Sequence, residues 1–226
     1  MRILAIECTH LVAGVAVRNE GAVVVRMHDE WQKTAEAIMP MIAEGMEDAG
    51  LVPAELDGVA VSSGPGSFTA LRIGMSAAKG IAYGAGIPLL PVPTMQAMAE
   101  AALPHTEAAR LVPVILSRSD EYYYAVFRRS PSSALTEELD IARCRAGELG
   151  TLLERFDGGY AVIGRGIDGL VRQAPALGPR CIEADFFTAA SLLPLAAKSF
   201  GNGFSSGSSR AVPDYRQMFV PGVKKH

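Results

Sequence analysis

The chain has 226 residues, 49% of them hydrophobic, with 21 Lys or Arg against 24 Asp or Glu and a formal net charge of −3. So much apolar content excludes a disordered polyelectrolyte, and the length suffices for one large core or two small ones. Cys8, Cys144 and Cys181 are odd in number and far apart, which fits neither a disulfide framework nor the paired spacing of a zinc site.

Residues 1–7 carry one Arg and an apolar run that meets an acid after four residues, so neither a signal peptide nor a membrane-length segment is expected, and the expected location is the cytoplasm. Residues 3–6 read as a short buried strand, and 13–17 and 22–27 as two more, with a turn at Asn19-Glu20-Gly21 between them. Thr34 can cap a helix running to about Ala49. In it Ile38, Ile42 and Met46 fall at i, i+4 and i+8, Met39 lies on a neighbouring face, and Gly50 stops the run. Pro40 is expected to kink this helix because it lacks a donor N–H. Residues 59–62 predict a fourth strand, 68–83 a second helix, and 87–92 a fifth strand followed by a helix through Glu100. This β-β-β-α-β-α-β-α order resembles the half-domain plan of the actin, hexokinase and Hsp70 superfamily.

After Pro104 the plan starts again, with strands at 111–116 and 122–128, less regular β structure to about Cys144, helices at 147–155 and 188–199, and a strand at 160–163. The expected architecture is α/β, an actin-like ATPase fold of the ribonuclease H-like kind. Its two lobes span 1–104 and 105–226, each a mixed sheet flanked by helices. Residues 199–210, rich in Gly and Ser, read as a flexible loop, and 212–220 as an extended tail that docks. Alternation places at most two of Tyr122, Tyr123 and Tyr124 on one side of their strand, a pattern for packing across a sheet rather than for base stacking. Residues 1–105 hold 6 Lys or Arg against 11 Asp or Glu, while 106–226 hold 15 against 13. No basic cluster able to grip a nucleic acid unaided stands out, and Arg128-Arg129 and Lys224-Lys225 read as solvated ends.

The most specific stretch is Ser62-Ser63-Gly64-Pro65-Gly66-Ser67-Phe68-Thr69, a turn between a strand and a helix. Gly64 and Gly66 admit backbone angles closed to other residues, and Ser67 or Thr69 can satisfy free N–H groups where the helix begins. Such a turn can be structural, or it can bind an anion at the helix start. It lacks the Gly-Lys-Ser/Thr of a P-loop and the spacing of a dinucleotide fingerprint. In the following helix Ala70, Gly74, Ala78 and Ala82 recur every four residues, while Leu71, Ile73, Met75, Ala77 and Ile81 make the other faces apolar. A helix apolar nearly all round is covered on more than one side. The small-residue stripe admits close approach either of another chain or of another element of this one.

Residues 64–74, followed by Ala77-Ala78-Lys79-Gly80 and Gly86-Ile87-Pro88, resemble the TsaB family, formerly YeaZ, and the match is strong through about Thr94. Ile3-Leu4-Ala5-Ile6-Glu7-Cys8-Thr9 is similar to the family's first phosphate-loop segment, where an acid and a hydroxyl follow the first strand. Pro113-Val114-Ile115-Leu116-Ser117-Arg118-Ser119-Asp120-Glu121 resembles its second-lobe stretch, with Leu116 where an Asp is usual, Ser119 for Arg and Asp120 for Gly. Pro213-Asp214-Tyr215-Arg216 resembles its C-terminal signature with one residue missing. The resemblance implies a non-catalytic scaffold subunit that heterodimerises with the catalytic paralogue TsaD and recruits the ATPase TsaE. Together they transfer threonylcarbamoyl from its adenylate to the tRNA adenosine beside the anticodon. No tightly bound cofactor is expected, and ATP or ADP is expected only at the interface of the complex. When alone, the chain is expected to form a homodimer, and it is expected to meet tRNA only through the complex.

The expected partner interface comprises Ile38, Met39, Ile42, Met46, Ala70, Leu71, Gly74, Met75, Ala78 and Ala82. Glu7, Thr9, Gly64, Gly66, Ser67 and Thr69 are candidate nucleotide or anion contacts. No metal site is expected: the catalytic paralogue uses a His-x-x-x-His pair, whereas His10, His28, His105 and His226 include no two within a helical turn. The Gly-x-Ser-x-Gly elbow of a serine hydrolase is also missing. The rival reading is a small sugar or acid kinase of the same superfamily, with Glu7 reaching a magnesium-bound water, Thr9 a phosphate, and Gly164-Arg165-Gly166 as the nearest adenosine loop.

Overall fold

The structure is a computed structural model; it describes residues 1–9, 12–131, 134–157, 159–201, 212 and 214. The expected 199–210 loop and the tail at 212–220 lie almost wholly outside the described residues, as do His10, His226 and Lys224-Lys225.

Strand β1 (Arg2–Glu7) is antiparallel to β2 (Ala13–Asn19), which is antiparallel to β3 (Ala22–His28); on its other side β1 runs parallel to β4 (Gly58–Ser62), and β4 to β5 (Leu89–Val92). The second sheet repeats the plan. Strands β6 (Arg110–Arg118), β7 (Glu121–Arg129) and β8 (Leu135–Arg145) form the meander, and β9 (Tyr160–Gly164) and β10 (Cys181–Glu183) add in parallel beside β6. The sheet orders β3-β2-β1-β4-β5 and β8-β7-β6-β9-β10 are thus equivalent strand for strand. The segment expected to be less regular is an eleven-residue strand with register shifts. β10 is missing from the sequence reading because three residues carry no periodicity.

Helices α1 (Thr34–Asp48) and α2 (Phe68–Ala85) cover one face of the first sheet. Lys33, not Thr34, is the N-cap of α1, and it makes no side-chain cap bond. Thr34 is instead buried inside the first turn, and Pro40 lies within one continuous helix. Gly86 stops α2 with φ 68°, the left-handed conformation that glycine adopts at lowest cost. Helix α3 (Thr94–Ala102) crosses onto β6 and β7 of the second sheet. In the second lobe α4 (Ala146–Glu154) and α5 (Asp168–Gln173) are short. The helix expected over 188–199 is a 3-10 turn at Ala189–Leu192 followed by α6 (Leu193–Gly201); Pro194 sits in the opening turn of α6, where its missing N–H costs nothing.

The core explains why the lobes do not part freely. Ile3, Ala5 and Leu90 of the first sheet share one apolar cluster with Leu111, Ile115 and Tyr123 of the second, closed by Met95, Met98, Phe187 and Leu192. Each fully buried Leu, Met or Phe of this kind contributes roughly 1.5–3 kcal/mol. A Lys198–Glu100 ion pair at 3.3 Å ties α6 to α3 on the outside. Tyr122 and Tyr124 face a separate cluster under α4, while Tyr123 faces the shared core, as strand alternation predicts.

Candidate functional site

The C-terminal ends of β1 and β9, one parallel strand from each lobe, lie at the end of the sheet where open α/β folds hold their ligands, and they meet at one small cavity. It is lined by Glu7, Val12, Gly14, Met27, Arg165, Phe187, Thr188 and Ala189 and holds about 10 Å³, room for a single water. The 3-10 turn that starts at Ala189 fills the rest, and the Ala189 side chain packs beside Gly14 of β2. Arg165, from the second lobe, donates to the Phe187 carbonyl and thereby fixes the wall opposite Glu7.

Two of the candidate anion contacts meet here. Glu7 is buried, and its Oε1 accepts from the backbone N–H of Thr9 at 2.6 Å and from the Thr9 hydroxyl. Its Oε2 has no partner among the described residues. Burial pushes the Glu7 carboxyl above its ordinary range, against the lowering effect of the Thr9 and Ser62 bonds and the Arg165 charge. Cys8 beside it is buried, and its thiol is pushed far up as well, so it is not a nucleophile.

The glycine turn uses its donors internally. Ser63 N–H donates to the Val92 carbonyl at 2.8 Å, Gly64 N–H to Thr94 Oγ1 at 3.0 Å, and Ser67 N–H to the Thr9 carbonyl at 3.2 Å. Ser67 is the N-cap of α2, its Oγ accepting from Ala70 N–H. Gly64 has φ +106°, and a Cβ on Gly66 would lie 2.6–2.9 Å from Thr9 backbone and Cβ atoms, so both glycines are required by geometry. Thr69 is exposed and outside this network. Asp214, one of the two described residues of the tail, donates its N–H to the Ser63 carbonyl at 2.7 Å. The turn therefore knots the ends of β1, β4 and β5 together with the C-terminal segment.

The equivalent corner of the second lobe, Gly164-Arg165-Gly166, is occupied in a different way. The Glu183 carboxylate accepts from Gly166 N–H at 2.6 Å and from Ile167 N–H at 3.1 Å. In both lobes an acidic side chain of the chain itself accepts from backbone N–H groups at the corner, Thr9 in the first lobe and Gly166 and Ile167 in the second. Glu183 was not singled out by the sequence, because its partner corner lies seventeen residues away in the chain.

The helical candidates require a correction. Ile38, Ile42, Met46, Ala70, Leu71, Gly74, Met75, Ala78 and Ala82 are buried inside the first lobe, and of the ten only Met39 is exposed, at 50%. A Cβ on Gly74 would lie 3.2 Å from Cys8 Sγ and 3.6 Å from Ile6; the small-residue stripe lets α2 approach its own sheet, not another chain. The open face of α2 is the opposite one. Arg72, Ser76, Gly80, Tyr83 and Gly84 are exposed, Tyr83 at 91%, with Ile73, Ala77 and Ile81 half-buried between them. Cβ atoms on Gly80 or Gly84 would meet nothing within 4 Å. Ala35, Met39 and Ala43 continue this small and apolar surface on α1. Ser76, Gly80 and Gly84 repeat every four residues just as the buried stripe does, so the sequence held two such stripes.

Two sheets of one strand plan, flanked by helices and closed on each other, define a two-lobed protein of the actin-like ATPase fold. A protein from Pseudomonas aeruginosa with similarity to the peptidase YeaZ superposes with a TM-score of 0.81 at 22% identity, covering 96% of this chain and 99% of that one. The family model described as TsaD, tRNA N6-adenosine threonylcarbamoyltransferase, matches residues 31–143. Escherichia coli K12 TsaB, a tRNA threonylcarbamoyladenosine biosynthesis protein, is 28% identical over 99% of this chain and 98% of its own. The Haemophilus influenzae protein of the same name is 33% identical over 55% of this chain and 53% of its own. The chain belongs to this family, on its TsaB (YeaZ) side.

Proposed function

We propose that this chain is a non-catalytic subunit in the making of threonylcarbamoyladenosine in tRNA. Its TsaB relatives support a role in that biosynthesis. In this reading it pairs with a TsaD-type catalytic subunit and a TsaE-type ATPase, and the complex moves threonylcarbamoyl from its adenylate to the adenosine beside the anticodon. The exposed face of α1 and α2 docks the partner, and in its absence pairs with a second copy. ATP or ADP acts at the interface of the complex, and tRNA is reached through it.

The observation that carries the reading is the closed cleft. A nucleotide-using enzyme needs open space and free donors where its strands end, whereas Glu7, Glu183 and the Ala189 turn take up both here. The same observation weighs against an independent sugar or acid kinase. Among the described residues no group of three His, Cys, Asp or Glu is placed to hold a metal, and no helix is long and apolar enough to cross a membrane. The test is ATP turnover and tRNA threonylcarbamoylation by the chain alone and mixed with TsaD-type and TsaE-type subunits. Activity only in the mixture, lost when this chain is omitted, is expected. Sugar- or acid-dependent ADP release by the chain alone would establish the kinase reading instead.

A further inference from the structure

Four arginines scattered along the second half of the sequence meet on one rim of the second lobe. Arg110 opens β6, and its cross-strand neighbours are Arg128 of β7 on one side and Tyr160 of β9 on the other. Strand alternation directs all three to the face that carries α4, the face to which Val112, Tyr124, Val126 and Tyr160 belong. Phe156 follows α4 onto the same rim. The guanidinium of Arg110 lies 4.7 Å, and that of Arg155 4.8 Å, from the centroid of Phe156, while Arg180 lies 5.2 Å from that of Tyr160.

Both rings are buried and so are fixed platforms, whereas Arg128, Arg155 and Arg180 are exposed. A guanidinium lying over a fixed ring loses less rotamer freedom when it binds, and its planar fork suits phosphate oxygens. The acids of the rim are few. Glu138 forks onto Arg110 at 2.8 and 3.2 Å, and Glu154 and Asp157 flank Arg155 in sequence and temper the potential. Such a rim adds to a larger RNA surface without being sufficient alone. The four arginines outnumber these three acids, which leaves the rim a local positive surplus.

We propose that this rim is a direct contact for the phosphate backbone of the RNA substrate, with Arg155 and Arg180 as its principal groups. The proposal rests on the reading that the complex acts on tRNA; it adds that this subunit touches the RNA itself, from the lobe that does not dock the partner. The test compares the wild-type chain with the Arg155→Gln/Arg180→Gln double variant, each mixed with the TsaD-type subunit, by anisotropy of labelled tRNA at several salt concentrations. The expected result is an affinity loss of about tenfold and a salt slope smaller by roughly 1.5, as two lost phosphate contacts imply. Thermal unfolding and partner pull-down should match wild type. An assembled double-variant complex with unchanged affinity and slope overturns the proposal, and so does a variant that loses its partner but keeps tRNA affinity, which marks a protein contact. Assembly and tRNA modification are read on the same wild-type samples. If these fail in the wild type, the functional reading falls and the rim proposal with it; if they succeed, only the rim is in question.

Discussion

In the first lobe the turn after β4 leads into α2, a helix of eighteen residues, while the equivalent turn after β9 leads into α5, a helix of six. The longer helix has two distinct faces: Ala70, Gly74, Ala78 and Ala82 lie against the sheet, and Ser76, Gly80, Tyr83 and Gly84 face outward. Among its described residues the second lobe has no helix of comparable length, and it exposes arginines packed over aromatic rings. One strand plan thus yields a lobe built for helix packing and a lobe with a rim of arginines over aromatic rings. Among the described residues, the corner of each lobe holds an acidic side chain of the chain itself, bonded to backbone N–H groups.

The largest expected effect breaks the inner face of α2. Gly74→Glu places a charge against Cys8 and Ile6; an unpaired buried charge costs several kcal/mol. The variant should fail to fold, read as loss of the cooperative thermal transition, while a folded Gly74→Glu protein would return the stripe to the surface. Next in size is Glu183→Ala, which strips the N–H groups of Gly166 and Ile167 of their acceptor. A loss of about 1–3 kcal/mol in denaturant unfolding is expected. No loss would mean that water serves the corner equally well and that the second lobe is not plugged as described.

The smallest effect is a pH dependence. Glu7 has a raised pKa in the folded chain, so its native carboxyl keeps a proton that the unfolded chain releases above about 4.5. The stabilisation that follows is full below that unfolded value and is lost as pH rises toward the folded one. Glu7→Gln has no proton to lose. Its melting temperature relative to wild type should therefore rise from pH 4 to pH 8; a difference constant with pH would show that burial does not raise the Glu7 pKa.

The repeated strand plan was legible because Ile3-Leu4-Ala5-Ile6 and Leu111-Val112-Pro113-Val114 are short apolar runs between turn residues, and α2 because its periodicity is long. Which face of α2 packs inward was not legible, since two stripes of small residues share the same four-residue period and only the docked sheet distinguishes them. The closed cleft was hidden for another reason: Glu7, Arg165 and Ala189 come together only through the closure of two sheets. The arginine rim was likewise invisible, because Arg110, Arg128, Arg155 and Arg180 come from four separate segments.

The most direct measurement of the central claim uses Gly80→Glu, six residues along α2 from Gly74 but on the open face, where a new Cβ meets nothing within 4 Å. Thermal unfolding, sedimentation and pull-down of a TsaD-type partner are measured on one preparation. The expected result is a folded monomer, no less stable than wild type because glycine in a helix interior costs about 0.5–1 kcal/mol relative to alanine, with partner binding and tRNA modification abolished. A folded Gly80→Glu chain that binds the partner and supports modification at wild-type levels would contradict the assignment of this face and the scaffold role built on it.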